Sequence, residues 1–239
     1  MTDNIIIFNE YETMLEIYNN KYSICRFGDG EIYHLFQTKS KYKSGGQICS
    51  KIFQNKLEKV LTNTNKNILI GFSGHFSNKE FCDLNYKNQI LSECSIKFFN
   101  EYKLKLKNKY PFLFLKKIYS AEITRLSQLN NYLPIIEIFD KMFSENNCVF
   151  IGNIKNINII KSKFINKFKN IEFIEGPNLN AFNNYDDILN KINNIDEIKT
   201  KLILISLGPT STILCYDLAL QGNWTIDTGH YFDMLSKIS

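Results

Sequence analysis

Short apolar and β-branched runs alternate along the chain with longer segments in which apolar residues recur at helical spacing. The short runs predict strands over 22–26, 67–72, 147–151, 171–175, 201–206 and 223–226. The longer segments predict helices over 10–19, 30–37, 50–62, 78–106, 132–144, 156–168, 184–194 and 210–221. This alternation is typical of an α/β protein with a mostly parallel sheet and helices on both faces. Because no linker rich in Pro, Gly or Ser interrupts it, we expect one domain over 1–239.

The composition of the 239 residues is that of an ordinary globular protein, with 44% hydrophobic and 22% charged residues. The net charge of +5 is compatible with an anionic substrate, but it is too small and too scattered to indicate binding to nucleic acid. Lysines cluster between Lys97 and Lys117. We interpret the cluster as a solvated helix face, and contact with a membrane surface or an anionic acceptor is the alternative.

The cysteines and the N-terminus bear on the compartment. None of the six cysteines has C-x-x-C spacing and several lie inside apolar runs, so we expect buried free thiols in a reducing compartment. The N-terminal residues lack the pattern of a signal peptide. No apolar stretch approaches the ~18 residues of a membrane-spanning helix. We therefore expect a cytoplasmic protein with no membrane span, and peripheral association with the inner membrane face stays open.

Two carboxylates flank a glycine in the run RFGDGE at 26–31, directly after the first predicted strand. Open α/β sheets bind ligands at the carboxyl ends of their strands. In an extended segment, Asp29 and Glu31 would point to the same side, and their oxygens suit Mg²⁺ or Mn²⁺ with positions left for a substrate's phosphates. Arg26 adds a fixed positive charge for the same anion. The run is also compatible with a tight turn, because Asp-Gly is a common turn dipeptide.

A second polar segment lies between the last two predicted strands. Pro209 suits the first turn of a helix, and Thr210 and Ser211 can cap free amides there. Helix amides and the helix dipole attract phosphates, so we expect the turn from Gly208 to Ser211 to contact an anion. The alternative is a βαβ unit with ordinary capping.

Three further residues carry weaker signals. Asp227 and His230 directly follow the last predicted strand, where sheet topology places ligands. Arg125 is compatible with a phosphate contact and equally with a surface salt bridge. The glycine-bearing loop around His75 is interpreted as a turn.

Four short motifs occur in a fixed order over residues 22–233: RFGDGE at 26–31, NAF at 180–182 with YD at 185–186, LGPT at 207–210 with YDLA at 216–219, and DTGH at 227–230. In this order and spacing, they resemble the bacterial glycosyltransferases of the GT-D fold, a family once described only as a domain of unknown function. The resemblance implies a Rossmann-like α/β domain and a UDP-sugar donor. It also implies a divalent metal, Mn²⁺ or Mg²⁺, at a D-x-E motif, which here is Asp29-Gly30-Glu31.

The resemblance implies transfer of a hexose-type sugar to a glycan or glycoprotein acceptor, in bacterial glycoprotein or surface polysaccharide synthesis. The residues then expected to bind the donor are Arg26, Gly28, Arg125, Asn180, Gly208, Pro209, Thr210 and Ser211. An inverting enzyme would also need a base, for which Asp227 and His230 are both candidates.

Other functions stay open. The chain can be a non-catalytic nucleotide-sugar-binding or scaffold protein in a glycan assembly complex. A Rossmann oxidoreductase or methyltransferase is disfavoured, because no Gly-x-Gly-x-x-Gly follows the first strand. A homo-oligomer is compatible with each of these functions.

Overall fold

The computed structural model describes residues 5–37, 43–44, 46–77, 93–115 and 117–239, with backbone alone at 43–44 and 93–95. Within these residues, one sheet has eight strands, and every pair of neighbouring strands is parallel. In chain order its strands are β1 (Ile6–Ile7), β2 (Ser23–Phe27), β5 (Ile68–Phe72), β6 (Lys117–Ser120), β7 (Asn147–Gly152), β8 (Asn170–Glu175), β9 (Leu202–Ser206) and β10 (Trp224–Asp227). Strands β3 (Lys43–Ser44) and β4 (Gln47–Ile48) form a separate antiparallel pair.

The order of strands across the large sheet is β1-β6-β5-β2-β10-β9-β7-β8. Strand β2 therefore lies near the middle of the sheet, between β5 and the last strand of the chain, β10. The α-helices are α1 (Glu10–Asn20), α2 (Asp29–Phe36), α3 (Lys51–Leu61), α4 (Glu93–Lys109), α5 (Leu133–Glu145), α6 (Ile154–Ile159), α7 (Tyr185–Asn193), α8 (Pro209–Leu220) and α9 (Tyr231–Ile238).

The sheet buries an apolar layer on each face because successive side chains of a strand point to opposite sides. On one face, Phe27 and Ile205 pack with apolar residues of α2, α3 and α8. On the other face, Ile24 and Leu204 pack with apolar residues of α1, α5 and α9. Strands buried on both faces explain the continuous apolar runs in the sequence.

All six predicted strands are confirmed, and so is the parallel sheet covered on both faces. The segment predicted as a helix over 156–168 is helical, but it is not one regular α-helix. Helix α6 passes at Ile160 into a π-helical turn, and a short 3₁₀ turn follows. The N-terminal part of the helix predicted over 78–106 lies outside the described residues. Strands β1, β3 and β4 were not predicted, because two residues are too few to establish a period. The four-residue strand β6 was also not predicted.

The described cysteines confirm the expectation of buried thiols: Cys25, Cys49, Cys148 and Cys215 are all free and buried. Cys82 and the side chain of Cys94 lie outside the described residues. Within the part of the chain that the structure describes, none of the helices combines the length and hydropathy that crossing a membrane requires.

Glu10 is a buried carboxyl at the start of α1, where it accepts a hydrogen bond of 2.9 Å from the Ser120 hydroxyl. Burial raises the pKa of Glu10 from 4.5 to about 7, and the charge of Glu122 adds to the rise. Because the unfolded chain ionises this group at lower pH, the free energy of unfolding falls as pH rises from about 4.5 to 7. Above that window the penalty stays constant at about 3 kcal/mol.

We therefore expect Glu10→Gln to stabilise the protein by about 3 kcal/mol at pH 7.5 and by much less at pH 4.5. Urea unfolding at both pH values measures the difference between variant and wild type. Glu137→Gln, which changes an exposed carboxylate on α5, is the control and should show no such pH-dependent gain. An equal effect of Glu10→Gln at both pH values would contradict the assignment.

Candidate functional site

One pocket lies along the carboxyl edge of the sheet, with a cavity volume of about 560 Å³. This size is ordinary for a small-molecule site. The lining is contributed by loops after β2, β5, β6 and β7 and by the ends of β9 and β10. The residues predicted from sequence that line it are Arg26, Gly28, Asp29, Glu31, Arg125, Gly208, Pro209, Asp227 and His230.

Arg26, the fourth residue of β2, is the most firmly held side chain of the pocket. Its Nε donates to the backbone oxygen of Asp227 at 2.8 Å. Its Nη1 donates to the backbone oxygen of Ala121 at 2.8 Å and to the hydroxyl of Thr124 at 2.6 Å. Its Nη2 forms an ion pair with the Asp227 carboxylate at 3.1 Å. These contacts use four of the five guanidinium N–H groups, so one remains for a ligand in the pocket.

Asp227 ends β10 and is buried, with only 3% of its surface exposed. Its Oδ1 accepts hydrogen bonds from Arg26 and from the backbone N–H of Gly229, both at 3.1 Å. Its Oδ2 lies 3.3 Å from the Thr212 hydroxyl, which donates its proton to the backbone oxygen of Arg26 at 2.8 Å. The ion pair with Arg26 and the hydrogen bond from Gly229 favour a role in holding Arg26 over a role as a free base.

The carboxylates of the D-x-E motif line the pocket from the first turn of a helix. The segment is not extended: α2 begins at Asp29 with Gly28 as its N-cap, which agrees with the helix predicted over 30–37. Residues two apart on a helix point to different sides, so Asp29 is exposed while Glu31 turns back. The Glu31 carboxylate accepts a hydrogen bond of 2.8 Å from the N–H of Gly28. Burial, together with the negative charge of Asp227, raises the pKa of Glu31 to about 7.

The residues of the turn at the start of α8 have two different environments: some line the pocket and others are buried in the protein interior. Gly208 and Pro209 line the pocket, and Gly208 has a φ of 57° and a ψ of −145°. Thr210 and Ser211 are buried outside the lining. The Ser211 hydroxyl accepts from the N–H of Leu207 at 2.6 Å, and the Thr210 hydroxyl donates to the Gln47 side chain at 3.3 Å. These two side chains therefore make hydrogen bonds inside the protein in this structure.

Asn180 also lies outside the pocket lining. It has a positive φ of 52°, and its side-chain oxygen accepts a hydrogen bond of 2.9 Å from the N–H of Ile48. Its backbone N–H donates to Gly46. Asn180 thus ties the β3–β4 hairpin to the segment before α7, while Asn178, two residues earlier, reaches the pocket.

His230 lies at the rim, with 58% of its side chain exposed and its Nδ1 3.8 Å from the Asp233 carboxylate. Partial desolvation lowers the pKa of His230, and the positive charges of Arg125 and Arg26 lower it further. Arg125 lines the pocket and is partly buried. Its position agrees with the predicted phosphate contact better than with a surface salt bridge.

The sequence interpretation missed several pocket residues. Those on the segments directly after β5, β6, β7 and β8 are Ser73, His75, Glu122, Gln128, Asn153 and Asn178, and those on helices or at the end of β9 are Phe99, Lys155, Asn156, Ser206 and Asp233. His75 had been interpreted as part of a turn. The sequence signal that could have found these residues was their position after predicted strands. Polar residues that closely follow a strand, such as Ser73 and Asn153, lie at the ligand-binding edge of a parallel sheet.

No group of three His, Cys, Asp or Glu side chains among the described residues is arranged to hold a metal ion by itself. Asp29 and Glu31 nevertheless supply hard oxygen donors at the wall of the pocket. Magnesium and manganese sites commonly use one or two carboxylates and complete the shell with water and substrate phosphates. The donor set therefore fits a cation that is held jointly with a diphosphate.

A parallel sheet covered by helices on both faces, with a pocket at its carboxyl edge, defines a Rossmann-like α/β protein. The profile of the family described as "Glycosyltransferase GT-D fold" matches residues 24–234. The chain belongs to this GT-D glycosyltransferase family. A search of curated proteins gave no match.

Solved structures share the fold across nearly the whole chain. One, described as "The highly conserved domain of unknown function 1792 has a distinct glycosyltransferase fold", has a TM-score of 0.81 and 23% identity, covering 99% of this chain and 82% of its own. Another, "A New Glycosyltransferase (DUF1792) from Streptococcus sanguinis", has a TM-score of 0.81 and 18% identity, covering 98% and 84%. A selenomethionine-substituted structure of domain 1792 has a TM-score of 0.78 and 23% identity, covering 99% and 82%.

Proposed function

We propose that the chain is a single-domain, metal-dependent glycosyltransferase that moves a hexose-type sugar from a UDP-sugar to a glycan or glycoprotein acceptor. Its place would be bacterial glycoprotein or surface polysaccharide synthesis in the cytoplasm. The observation that carries the proposal is the convergence in one pocket of the fixed Arg26 guanidinium, the Asp29 and Glu31 carboxylates and the N-terminus of α8. Membership of the GT-D family supports the reaction class.

The charges in the centre of the pocket suit a bound diphosphate. Arg26 keeps one N–H free, and the positive end of the α8 dipole lies beside Gly208. Asp29 and Glu31 would repel the diphosphate on their own, and a divalent cation held by these carboxylates would remove that conflict. When bound, Mn²⁺ or Mg²⁺ supplies Lewis-acid neutralisation of the charge on the leaving diphosphate. Arg26 acts on the same charge from a position fixed before the reaction.

The nucleoside fits the wall beside β7 and β9. Asn153, Asn156 and Asn178 line this wall and offer amide donors and acceptors suited to a base and a ribose. The wall is held together by a hydrogen bond of 3.1 Å between the Asn153 and Asn178 side chains and one of 2.9 Å from Asn156 to Ser206.

A thermal-shift screen of nucleotide sugars, with and without Mn²⁺, tests donor class and metal together. We expect UDP and UDP-sugars to raise the melting temperature, and only in the presence of the metal. Hydrolysis of the stabilising UDP-sugar then separates an enzyme from a non-catalytic binding or scaffold protein. Stabilisation by NAD or S-adenosylmethionine instead would favour the disfavoured Rossmann alternatives.

We expect Gly208→Val to raise the Kd of UDP, because a β-branched side chain both strains this backbone and blocks close approach of phosphates. Gly222→Val is the matched control: it has a positive φ of 87°, and a Cβ there would meet nothing within 4 Å. Both variants should lose stability, on the order of 1–3 kcal/mol. Only the Gly208 variant should lose affinity in calorimetry. Equal UDP affinities in the two folded variants would contradict a phosphate contact.

A further inference from the structure

The order of strands divides the pocket into three parts. Strands β2, β10 and β9 carry the anion-binding centre, and β7 carries the amide-rich wall. On the other side of the centre, β5 and β6 carry a third part that the proposed function has not used. We call it the β5–β6 wall, and it comprises Ser73, His75, Phe99, Glu122 and Gln128.

Glu122 is the charged residue of this wall. It follows β6 and is buried, with 6% of its surface exposed. Its Oε1 accepts a hydrogen bond of 2.6 Å from the Ser73 hydroxyl, and its backbone N–H donates to Ser120 at 3.1 Å. Its Oε2 has no hydrogen-bond partner among the described residues, and it is not sealed from the pocket. One carboxylate oxygen is thus anchored, and the other is available to a ligand.

The other described acids of the pocket have charged partners or a proposed role. Asp227 is held in an ion pair with Arg26 at 3.1 Å and also accepts the N–H of Gly229. Asp233 pairs with Lys155 at 2.8 Å and lies at the rim beside His230. In the proposed function, Asp29 and Glu31 bind the metal. Among the described pocket residues, Glu122 is therefore the buried carboxylate that is neither held in an ion pair nor assigned to the metal.

The aromatic part of the same wall suits a sugar. The His75 and Phe99 rings pack with centroids 4.7 Å apart and an interplanar angle of 33°. Aromatic rings bind the apolar faces of pyranose rings, while carboxylates and amides such as those of Glu122 and Gln128 bind their hydroxyls. The wall thus joins an apolar surface to two polar groups on the side of the centre away from the amides.

We infer that the β5–β6 wall binds the acceptor saccharide and that Glu122 is the catalytic base for its attacking hydroxyl. The inference rests on the proposed function and adds the acceptor site and the stereochemistry to it. The hydroxyl oxygen bonds to the anomeric carbon as the bond from that carbon to the diphosphate breaks. The electron pair leaves with UDP, and the hydroxyl proton passes to Oε2 of Glu122. A direct displacement of this kind inverts the anomeric configuration.

The test compares Glu122→Gln with wild type, using the UDP-sugar found by the thermal-shift screen and p-nitrophenyl glycosides as acceptors. Glutamine keeps the volume and an oxygen for Ser73, so the fold should persist. We expect turnover to fall by roughly 10²–10⁴-fold, which is the usual contribution of a general base. The Kd of UDP with Mn²⁺ should not change in calorimetry. Hydrolysis of the donor should fall in parallel, because water then takes the place of the acceptor.

Glu175→Gln is the control, since it changes an exposed carboxylate at the end of β8 outside the pocket and should leave transfer and hydrolysis unchanged. Unreduced turnover in Glu122→Gln would overturn the inference, and so would retention of configuration in the product. A matching loss of UDP affinity would overturn it as well, by assigning Glu122 to the donor. Failure of wild type to bind UDP would instead refute the proposed function.

Discussion

Asp29→Ala is expected to raise the Kd of UDP in the presence of Mn²⁺ by roughly a hundredfold or more, which corresponds to about 2.8 kcal/mol. Asp29 is an exposed carboxylate at the pocket wall, and in the proposed function it is a charged ligand of the metal. Removing it weakens metal and diphosphate binding together, because each completes the site of the other. Calorimetry with UDP, with Mn²⁺ and with both measures the three affinities separately.

Two further variants show whether a loss of affinity comes from the metal site itself. Glu31→Gln keeps an oxygen for the N–H of Gly28 while removing the charge, so it separates capping of α2 from metal binding. Asp196→Ala removes an exposed carboxylate remote from the pocket and should leave all three affinities unchanged. If both Asp29→Ala and Glu31→Gln keep metal-dependent UDP binding, the metal site at this motif is contradicted. The motif would then serve only as a turn and a helix cap.

The sheet was predictable because its strands are long enough to carry a pattern. Strands β7 and β9 contain the continuous apolar runs 148–151 and 202–205, which indicate burial on both faces. The two residues of β1 carry no such pattern, and neither does the β3–β4 hairpin. The π-helical turn after α6 is set by packing, which sequence periodicity does not report.

The site was predictable at its centre and not at its walls. Polar residues after β2 and β10 stood out because glycines accompany them, as in the runs at 26–31 and 227–230. Glu122 and Asn156 have no adjacent glycine in the sequence, and only the fold brings them into the same pocket as Arg26. The sequence also cannot tell that Thr210, Ser211 and Asn180 turn away from the pocket, because that depends on hydrogen bonds to the β4 hairpin and the adjoining loop.

Asp227 illustrates how the structure adds a contact that the sequence cannot show. Its place after the last strand predicts a base, and it does line the pocket. Its Oδ1 accepts hydrogen bonds from Arg26 and from the backbone N–H of Gly229. We therefore expect Asp227 to influence UDP affinity through the position of Arg26, rather than turnover alone.

Gly229→Ala is expected to remove Arg26 from its position and to destabilise the fold. A Cβ at Gly229 would lie 1.8 Å from Nη2 of Arg26, and the backbone there has a φ of 44°. The guanidinium has to move, which breaks its ion pair with the buried Asp227. Separating a buried pair typically costs about 3–5 kcal/mol, so we expect a loss of about 3 kcal/mol or more. The Kd of UDP should rise in the same variant.

A double-mutant cycle with Arg26→Ala tests whether the clash is the cause, because the second substitution removes the group that Cβ meets. In that background Gly229→Ala should cost only backbone strain, on the order of 1 kcal/mol, and should not weaken UDP binding further. Gly222→Ala gives the cost of a positive φ without a clash. Additive losses of stability and affinity across the cycle would show that Gly229 acts independently of Arg26. Strong non-additivity is the expected result, since Gly229 leaves the space in which Arg26 reaches Asp227 and, in the proposed function, the diphosphate.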